Sequence, residues 1–409
     1  MATFQEYIEL LRKPHLNISR MEFLDETGAV AFALDNNPKN SRSKAFIQGG
    51  SLTVNLENGV RRRATVTFGN ADKLYDFAIN KIWFGQQIRL LEGVQFPNGE
   101  EYLLPQGVFY LQSPNVVENP VDNTVTYQLV DKWAYLDGTL HGNLEGIYYI
   151  PRDSNIYQAI MSILSLPRGV NGIPVDRVQP VFTSYYYTAP SITLPDGTTM
   201  SMLNTPYEYY CESDNGTYAE IILELNKMLV GWVGYDRTGA LRIDAGAEDI
   251  NDAIKPIVWD FTPRKSDYLG STYDVKDTET YNHIVVIGEA LTDYGTPKGE
   301  AEDTTLSSVT NIYGTIARKT KRIADANYYT DEQCEALAQW YLKRYTTVAK
   351  SITIQSPPIY HLNENEIVTI ENPDTGERMK YLVTGYSRPI ASVGSMTINA
   401  TSVRDLGGV

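Results

Sequence analysis

Leu52, Val54 and Leu56 alternate with polar residues, Asn58-Gly59 supplies a turn, and Val60, Arg62, Ala64, Val66 and Phe68 continue the alternation. This is the stretch that restricts the fold most. A period of two marks a half-buried strand, and a turn dipeptide between two such runs marks a hairpin. A slip of one residue would send the whole apolar set to the wrong face, so the register is well specified. The same pattern returns near the other end. Ile352 and Ile354 alternate with polar residues until Pro357-Pro358. Residues 366–370, 379–386 and 396–400 then follow, separated by Asn372-Pro373-Asp374-Thr375-Gly376 and a turn around Gly394. These make a meander of four short strands with no catalytic-looking residue.

At 409 residues the chain exceeds one hydrophobic core, and two to four domains are expected. With 42% hydrophobic and 21% charged residues it is too apolar for a disordered polymer. Tyrosine is abundant, 29 against 11 Phe, which fits β structure with broad contact surfaces. No apolar run is long enough to span a bilayer, so no membrane span is expected. The start, Met1-Ala2-Thr3-Phe4-Gln5-Glu6, lacks the regions of a signal peptide, so folding in a cytoplasm is expected. Cys211 and Cys334 lie far apart and read as free thiols. The net charge of −15 argues against nonspecific adhesion to nucleic acid.

Thr3 and Glu6 have capping-box spacing ahead of Phe4, Tyr7, Ile8 and Leu11, which predicts a short first helix stopped by Pro14. Strands follow at 16–25, 82–91, 106–112 and 124–130, with a loop at 36–44, a helical turn at 71–80, and turns at Pro97-Asn98-Gly99 and Asn119-Pro120. Residues 1–139 thus hold the helix and a first antiparallel β-barrel. Residues 140–255 read as an inserted α+β domain. Ile156, Ile160, Ile163 and Leu164 have helical spacing there, Thr217 and Glu220 form a second capping box, and 235–243 form a hairpin. Residues 256–289 and 346–409 read as a second, split β-barrel, which includes the apolar run 283–287. Residues 290–345 read as a helical insertion, with a surface excursion at 289–308 and a helix at 331–345. The fold class is mainly β with α+β insertions, two antiparallel barrels each carrying a smaller domain.

The search for chemistry is nearly empty. No phosphate loop, zinc motif, nucleophile elbow or calcium loop occurs, and His15, His141, His283 and His361 are scattered. No catalytic residue, cofactor or metal site is assigned. Glu364 with Glu366, or Glu300 with Glu302, are formal candidates for a sugar-cleaving carboxylate pair, but each sits in a polar connection. Cys211 has no neighbour in sequence that would lower its pKa. Arg61-Arg62-Arg63 is a basic cluster in an acidic chain: alternation puts Arg61 and Arg63 on the polar face and Arg62 on the apolar one. It is either a solvated strand face or an ion-pair patch toward an acidic neighbouring subunit, and a buried arginine needs a carboxylate. Tyr185, Tyr186 and Tyr187, with the tyrosines at 207–210, serve either as binding-surface residues or as packing of the inserted domain.

The hairpin 50–68 with its arginines resembles the first strands of the baseplate hub and tail-associated proteins of long-tailed bacteriophages, prophage-type tail proteins included. Gly107-x-Phe109-x-Leu111, Leu129-x-Asp131-Lys132 and Leu136-Asp137-Gly138 resemble the end of that family's first barrel. The stretch 281–288 is similar to the strand that opens its second barrel, and the helix 331–345 and closing meander follow in the same order. The resemblance implies a non-enzymatic homotrimer whose six barrels imitate the sixfold tail tube. Such a ring joins a distal tail or tube protein above to tip, spike or receptor-binding proteins below. Genome DNA passes through without specific binding, and acidic residues lining the channel would repel its phosphates. The implied location is the virion tail, assembled in the bacterial host cytoplasm. The chain stops soon after the meander, so no hydrolase extension is expected. The rival readings are a receptor- or carbohydrate-binding module and a cell-wall hydrolase.

Overall fold

The computed structural model describes residues 2–37, 46–70, 85–118, 123–168, 171–183, 191–193, 199–201, 203–205, 207–212, 216–229, 231–245, 255–263, 267–275, 280–288, 295–306, 308, 310–314, 317–324, 331–346, 350–372, 376–391 and 393–402. Helix α1 (Phe4–Leu11) starts at the expected box. The Glu6 amide donates to the Thr3 hydroxyl and the Thr3 amide donates to the Glu6 carboxylate. Two otherwise orphaned N–H groups are thereby satisfied, and Tyr7 and Leu11 turn inward. Strands β1 (Leu16–Leu24), β2 (Val30–Asp35), β3 (Ile47–Asn55), β4 (Arg62–Gly69), β5 (Gln87–Gln95), β6 (Glu101–Glu118) and β7 (Asn123–Asp131) follow. The hairpin β3–β4 keeps its predicted parity, Leu52 facing Ala64 and Val54 facing Arg62. Its loop is wider than Asn58-Gly59, because Asn55 closes it onto Arg61. Most of the loop expected at 36–44, the helical turn expected at 71–80 and the turn at Asn119-Pro120 lie outside the described residues.

The inserted segment comprises β8 (Tyr148–Ile150), α2 (Ile156–Leu164), β9 (Val181–Phe182), β10 (Ser191–Thr193), β11 (Thr199–Ser201), β12 (Tyr209–Cys211), α3 (Tyr218–Leu229), β13 (Gly231–Tyr235) and β14 (Leu241–Ala245). Both helices pack their apolar stripes, Ile156, Ile160 and Ile163 with Ile221, Ile222 and Leu225, into a core shared with Val233 and Ile243. The second capping box also forms, Thr217 and Glu220 each accepting the other's amide.

After β15 (Ile257–Phe261) and β16 (Gly270–Val275) the structure departs from the sequence reading. Strands β17 (His283–Ile287), β18 (Lys298–Glu302) and β19 (Thr320–Ala324) form a separate sheet in the order β18-β17-β19. Helix α4 (Asp331–Thr346) packs on it through Cys334, Leu337, Ala338 and Leu342. The run 283–287 therefore does not open a second barrel. A continuous apolar run marks a strand flanked on both sides but cannot say in which sheet. The segment 290–345 is α+β rather than helical, and 298–302 is a strand rather than part of a loop. Only Gly299 and Ala301 are buried in β18, too small to give an apolar signal.

Strands β20 (Lys350–Ser356), β21 (Ile367–Glu371), β22 (Arg378–Ile390) and β23 (Met396–Ser402) complete one large sheet. Its thirteen strands run β16-β20-β23-β22-β3-β4-β7-β6-β5-β1-β2, with β21 also on β22 and β15 on β21. The order is open among the described residues, and one apolar core runs beneath both ends, from Tyr7 to Ala400.

The sheet is duplicated internally. With β2 set aside, β3-β4-β7-β6-β5-β1 and β16-β20-β23-β22-β21-β15 place their second, third, sixth, fifth, fourth and first strands in the same spatial order. The registers agree as well. Leu52 faces Ala64, which faces Leu129, which faces Leu111; Tyr273 faces Ile352, which faces Ala400, which faces Val383. Each half then carries a bulge at the matching point, Gln112 and Thr384. One difference stands: β1 is antiparallel to β5, whereas β15 is parallel to β21.

Candidate functional site

The arginine cluster sits where the inserted unit meets the sheet. Arg62 faces the core as its parity requires, 1% exposed, and its Nη2 lies 2.5 Å from Glu364 Oε2. Its Nη1 donates to the Gln106 carbonyl at 3.1 Å. Arg61, expected on the solvated face, is 2% exposed, whereas Arg63 is exposed. The hairpin β13–β14 covers that side of the strand. Gly59 bridges to Gly234, the Gly59 amide donates to the Val233 carbonyl, and the Val233 amide donates to the Asn58 side chain. Arg61 lies across Gly234 so closely that a Cβ there would stand 2.4 Å from its Nε. Its Nη1 reaches Asp244 at 3.5 Å and Glu364 at 3.8 Å. The acidic partners of Arg61 and Arg62 are thus this chain's own carboxylates, and neither arginine presents a surface to a neighbouring subunit.

Asp131 fixes the base of this junction. One carboxylate oxygen accepts the Arg61 and Arg62 amides at 2.8 and 2.9 Å, and the other accepts the Trp133 amide. Burial pushes its pKa up to about 6, against the pull of these donors and of Arg62. A second buried pair lies between the two halves of the sheet: Arg388 Nη2 meets Glu92 Oε2 at 2.6 Å with both side chains shut off from solvent. Burial also raises the Glu92 pKa, opposed by Arg388. Sequence reasoning missed this pair, although the signal was present. Glu92 shares the parity of buried Ile88, Leu90 and Val94, and Arg388 that of Tyr386 and Ile390. Opposite charges on the apolar parity of two strands call for each other.

A cleft of about 630 Å³ opens beside the junction, lined by Arg61, Arg62, Arg237, Arg242, Lys255, Glu364 and Glu366 among others. The carboxylates 364 and 366 therefore do border a cavity, which their polar connection did not announce. Both are engaged: Glu364 by the arginines, Glu366 by the amide and side chain of Asn363. In the other candidate pair Glu300 is exposed against Lys298, and Glu302 is half-buried against Arg318. The hydrogen bond from Lys298 holds the Glu300 pKa down, opposite to the need of a general acid. Burial pushes the thiols of Cys211 and Cys334 up, away from a nucleophilic thiolate. Among the described residues no group of three His, Cys, Asp or Glu is placed to hold a metal ion, and no helix is long and apolar enough to cross a membrane.

Tyr185, Tyr186 and Tyr187 lie outside the described residues. Of the second tyrosine group, Tyr207 donates to Glu224, while Tyr210 is exposed and packs at 4.7 Å on Tyr149, also exposed.

The run β16-β20-β23-β22-β3-β4-β7-β6 presents one continuous outer face. One half presents Ser51, Thr53, Thr65, Thr67, Thr126 and Gln128 at these outward positions; the other presents Thr353, Gln355, Ser387, Thr397, Asn399 and Thr401. Charged side chains also stand on this face, Arg63 on β4 and Arg378 and Lys380 on β22.

No family profile and no curated protein sequence matches the chain. Its structural neighbours include prophage and other tail proteins. The 43 kDa tail protein of prophage MuSo2 from Shewanella oneidensis superposes with a TM-score of 0.56 at 14% identity, over 94% of this chain and 98% of that one. A tail protein from Neisseria meningitidis gives 0.58 at 8% identity, over 96% and 97%. Prophage tail protein gp18 from Listeria monocytogenes gives 0.50 at 8%, over 94% of each. At such identities the likeness is one of fold.

Proposed function

We propose that this chain is a structural protein of a phage-type tail. It acts as a baseplate hub whose homotrimeric ring adapts a sixfold tube to a threefold tip and lets DNA pass through its channel. The observation that carries the reading is the duplicated sheet: one chain supplies two register-matched halves already joined side by side, so three chains supply six. Near-complete overlap with tail proteins of similar length supports it. The outer face of the eight-strand run is the surface suited to the channel. Hydroxyl and amide side chains offer duplex DNA no cationic row to bind, so phosphates slide past without being held. A wall made largely of hydroxyl and amide groups would allow passage through lack of attraction. No catalytic role is assigned.

Localisation tests the proposal. Antibody against the chain, applied to purified tail particles and viewed by electron microscopy, is expected to decorate the end of the tube distal to the head. Label spread along the tube, or particles lacking the chain, would overturn it. The exposed pair Tyr149–Tyr210 keeps one second reading, a carbohydrate-binding tip module. Cell-wall polysaccharide retained by the wild-type chain and released by Tyr210→Ala would favour that reading.

A further inference from the structure

The cleft beside the arginine junction holds positive charge that the chain itself does not use. Five of its described lining residues are cationic and four are carboxylates, in a molecule whose net charge is −15. Each of the four carboxylates is already held. Asp236 accepts from the Thr238 hydroxyl at 2.6 Å and Asp244 from Arg242 Nε at 2.6 Å, while Glu364 accepts from Arg62 and Glu366 from the Asn363 amide. Two of the arginines are not matched in this way. Arg61 Nε donates to the Glu57 carbonyl at 3.1 Å, and its Nη1 only approaches Asp244 and Glu364, at 3.5 and 3.8 Å. Its Nη2 is buried and has no hydrogen-bond partner among the described residues. Arg237 is half-buried, donates through Nη1 to the His361 carbonyl at 2.9 Å, and makes no ion pair among the described residues.

We propose that this cleft binds a carboxylate, that of an Asp or Glu side chain in a protein segment with apolar neighbours. A guanidinium N–H shut off from water is costly without an acceptor, and the fork of an arginine matches the two oxygens of a carboxylate. The incoming group accepts from Arg61 Nη2 and from the N–H groups of Arg237 that the His361 carbonyl leaves open. Charge selects the anion. With all four acids ionised the lining has one positive charge in excess, which a monoanion cancels and a phosphate dianion overshoots. Val181 and Pro256 are exposed at the cleft and Val258 is half-buried there, so the residues flanking the acid are apolar. Arg61 comes from the β3–β4 hairpin and Arg237 from the β13–β14 turn, so one bound carboxylate ties the inserted unit to the sheet. The inference stands independently of the ring reading.

Isothermal titration of the full-length chain tests it with three probes: the blocked peptide acetyl-Val-Glu-Val-amide, its neutral isostere acetyl-Val-Gln-Val-amide, and inorganic phosphate. The Glu peptide is expected to bind at least about tenfold more tightly than either of the others. Arg237→Gln should cost about tenfold in that affinity, while Arg237→Lys, which keeps the charge, should cost less. Lys227→Gln, which removes an exposed cation on α3 away from the cleft, should change nothing and so controls for diffuse attraction. Each variant should melt with the wild type, which separates lost binding from a misfolded chain. Equal binding of the Glu and Gln peptides, or no binding of either at millimolar concentration, overturns the proposal. Phosphate binding more tightly than the Glu peptide overturns it in favour of a phosphate site. Affinity for the Glu peptide unchanged by Arg237→Gln places the peptide elsewhere and overturns it as well.

Discussion

Arg62 and Glu364 show how a single residue can be read from strand parity and still be only half understood. An arginine on the apolar face demanded a carboxylate, and Glu364 supplies it at 2.5 Å from 302 residues away. That distance is why sequence could not name the partner. Breaking a buried pair on one side leaves an uncompensated charge, so Glu364→Leu should cost about 3–5 kcal/mol, read as a lower melting midpoint. Gly234→Ala should act through the same network, since its methyl group would displace Arg61 from Asp244 and Glu364. A loss near 1 kcal/mol or less in either variant would mean that the junction contributes little. His361 gives a pH dependence. It is 5% exposed, close to Trp259, within hydrogen-bond distance of the Tyr7 hydroxyl, and burial lowers its pKa to about 4. The neutral ring is the folded form. The stability it contributes is present above about pH 6.5 and is lost as pH falls toward 4, about 3 kcal/mol in all. His361→Gln should erase that loss. A wild-type–variant gap that stays constant from pH 7 to pH 4 would contradict this.

Elements were legible where alternation or caps wrote them. The hairpin β3–β4, the closing strands β20–β23, and the helices α1, α2, α3 and α4 all form where the pattern puts them. What was not legible was membership. The run 283–287 reads as a buried strand, but which sheet it joins depends on Gly299, Ala301 and α4, none of which marks it in sequence. Nor did the sequence reveal the duplication, because matched positions hold different residues: Leu52 and Tyr273, Leu129 and Ala400, Leu111 and Val383. Only parity and bulges are shared, and those are properties of pairing. The bulges make a prediction. Deleting Thr384 would remove the extra residue and leave Val383, Tyr386, Arg388 and Ile390 on one face of a regular strand, with Arg388 still turned toward Glu92. Such a chain should keep a cooperative melt; loss of the melt would show that the bulge itself, and not the alternation on either side of it, is required.

At the scale of the whole molecule, the two joined halves of one sheet and the junction of buried charge would serve the proposed ring as a rigid segment. The junction holds the inserted unit against the hairpin tip, and the pair Arg388–Glu92 braces the join between the two halves. Composition gives the acidity and could not say where the acid lies. The most direct measurement is native mass across a concentration series, alone and with the tube or tip protein. The account predicts particles of three chains of 45.9 kDa each. A dimer at every concentration, unchanged by either partner, would contradict it.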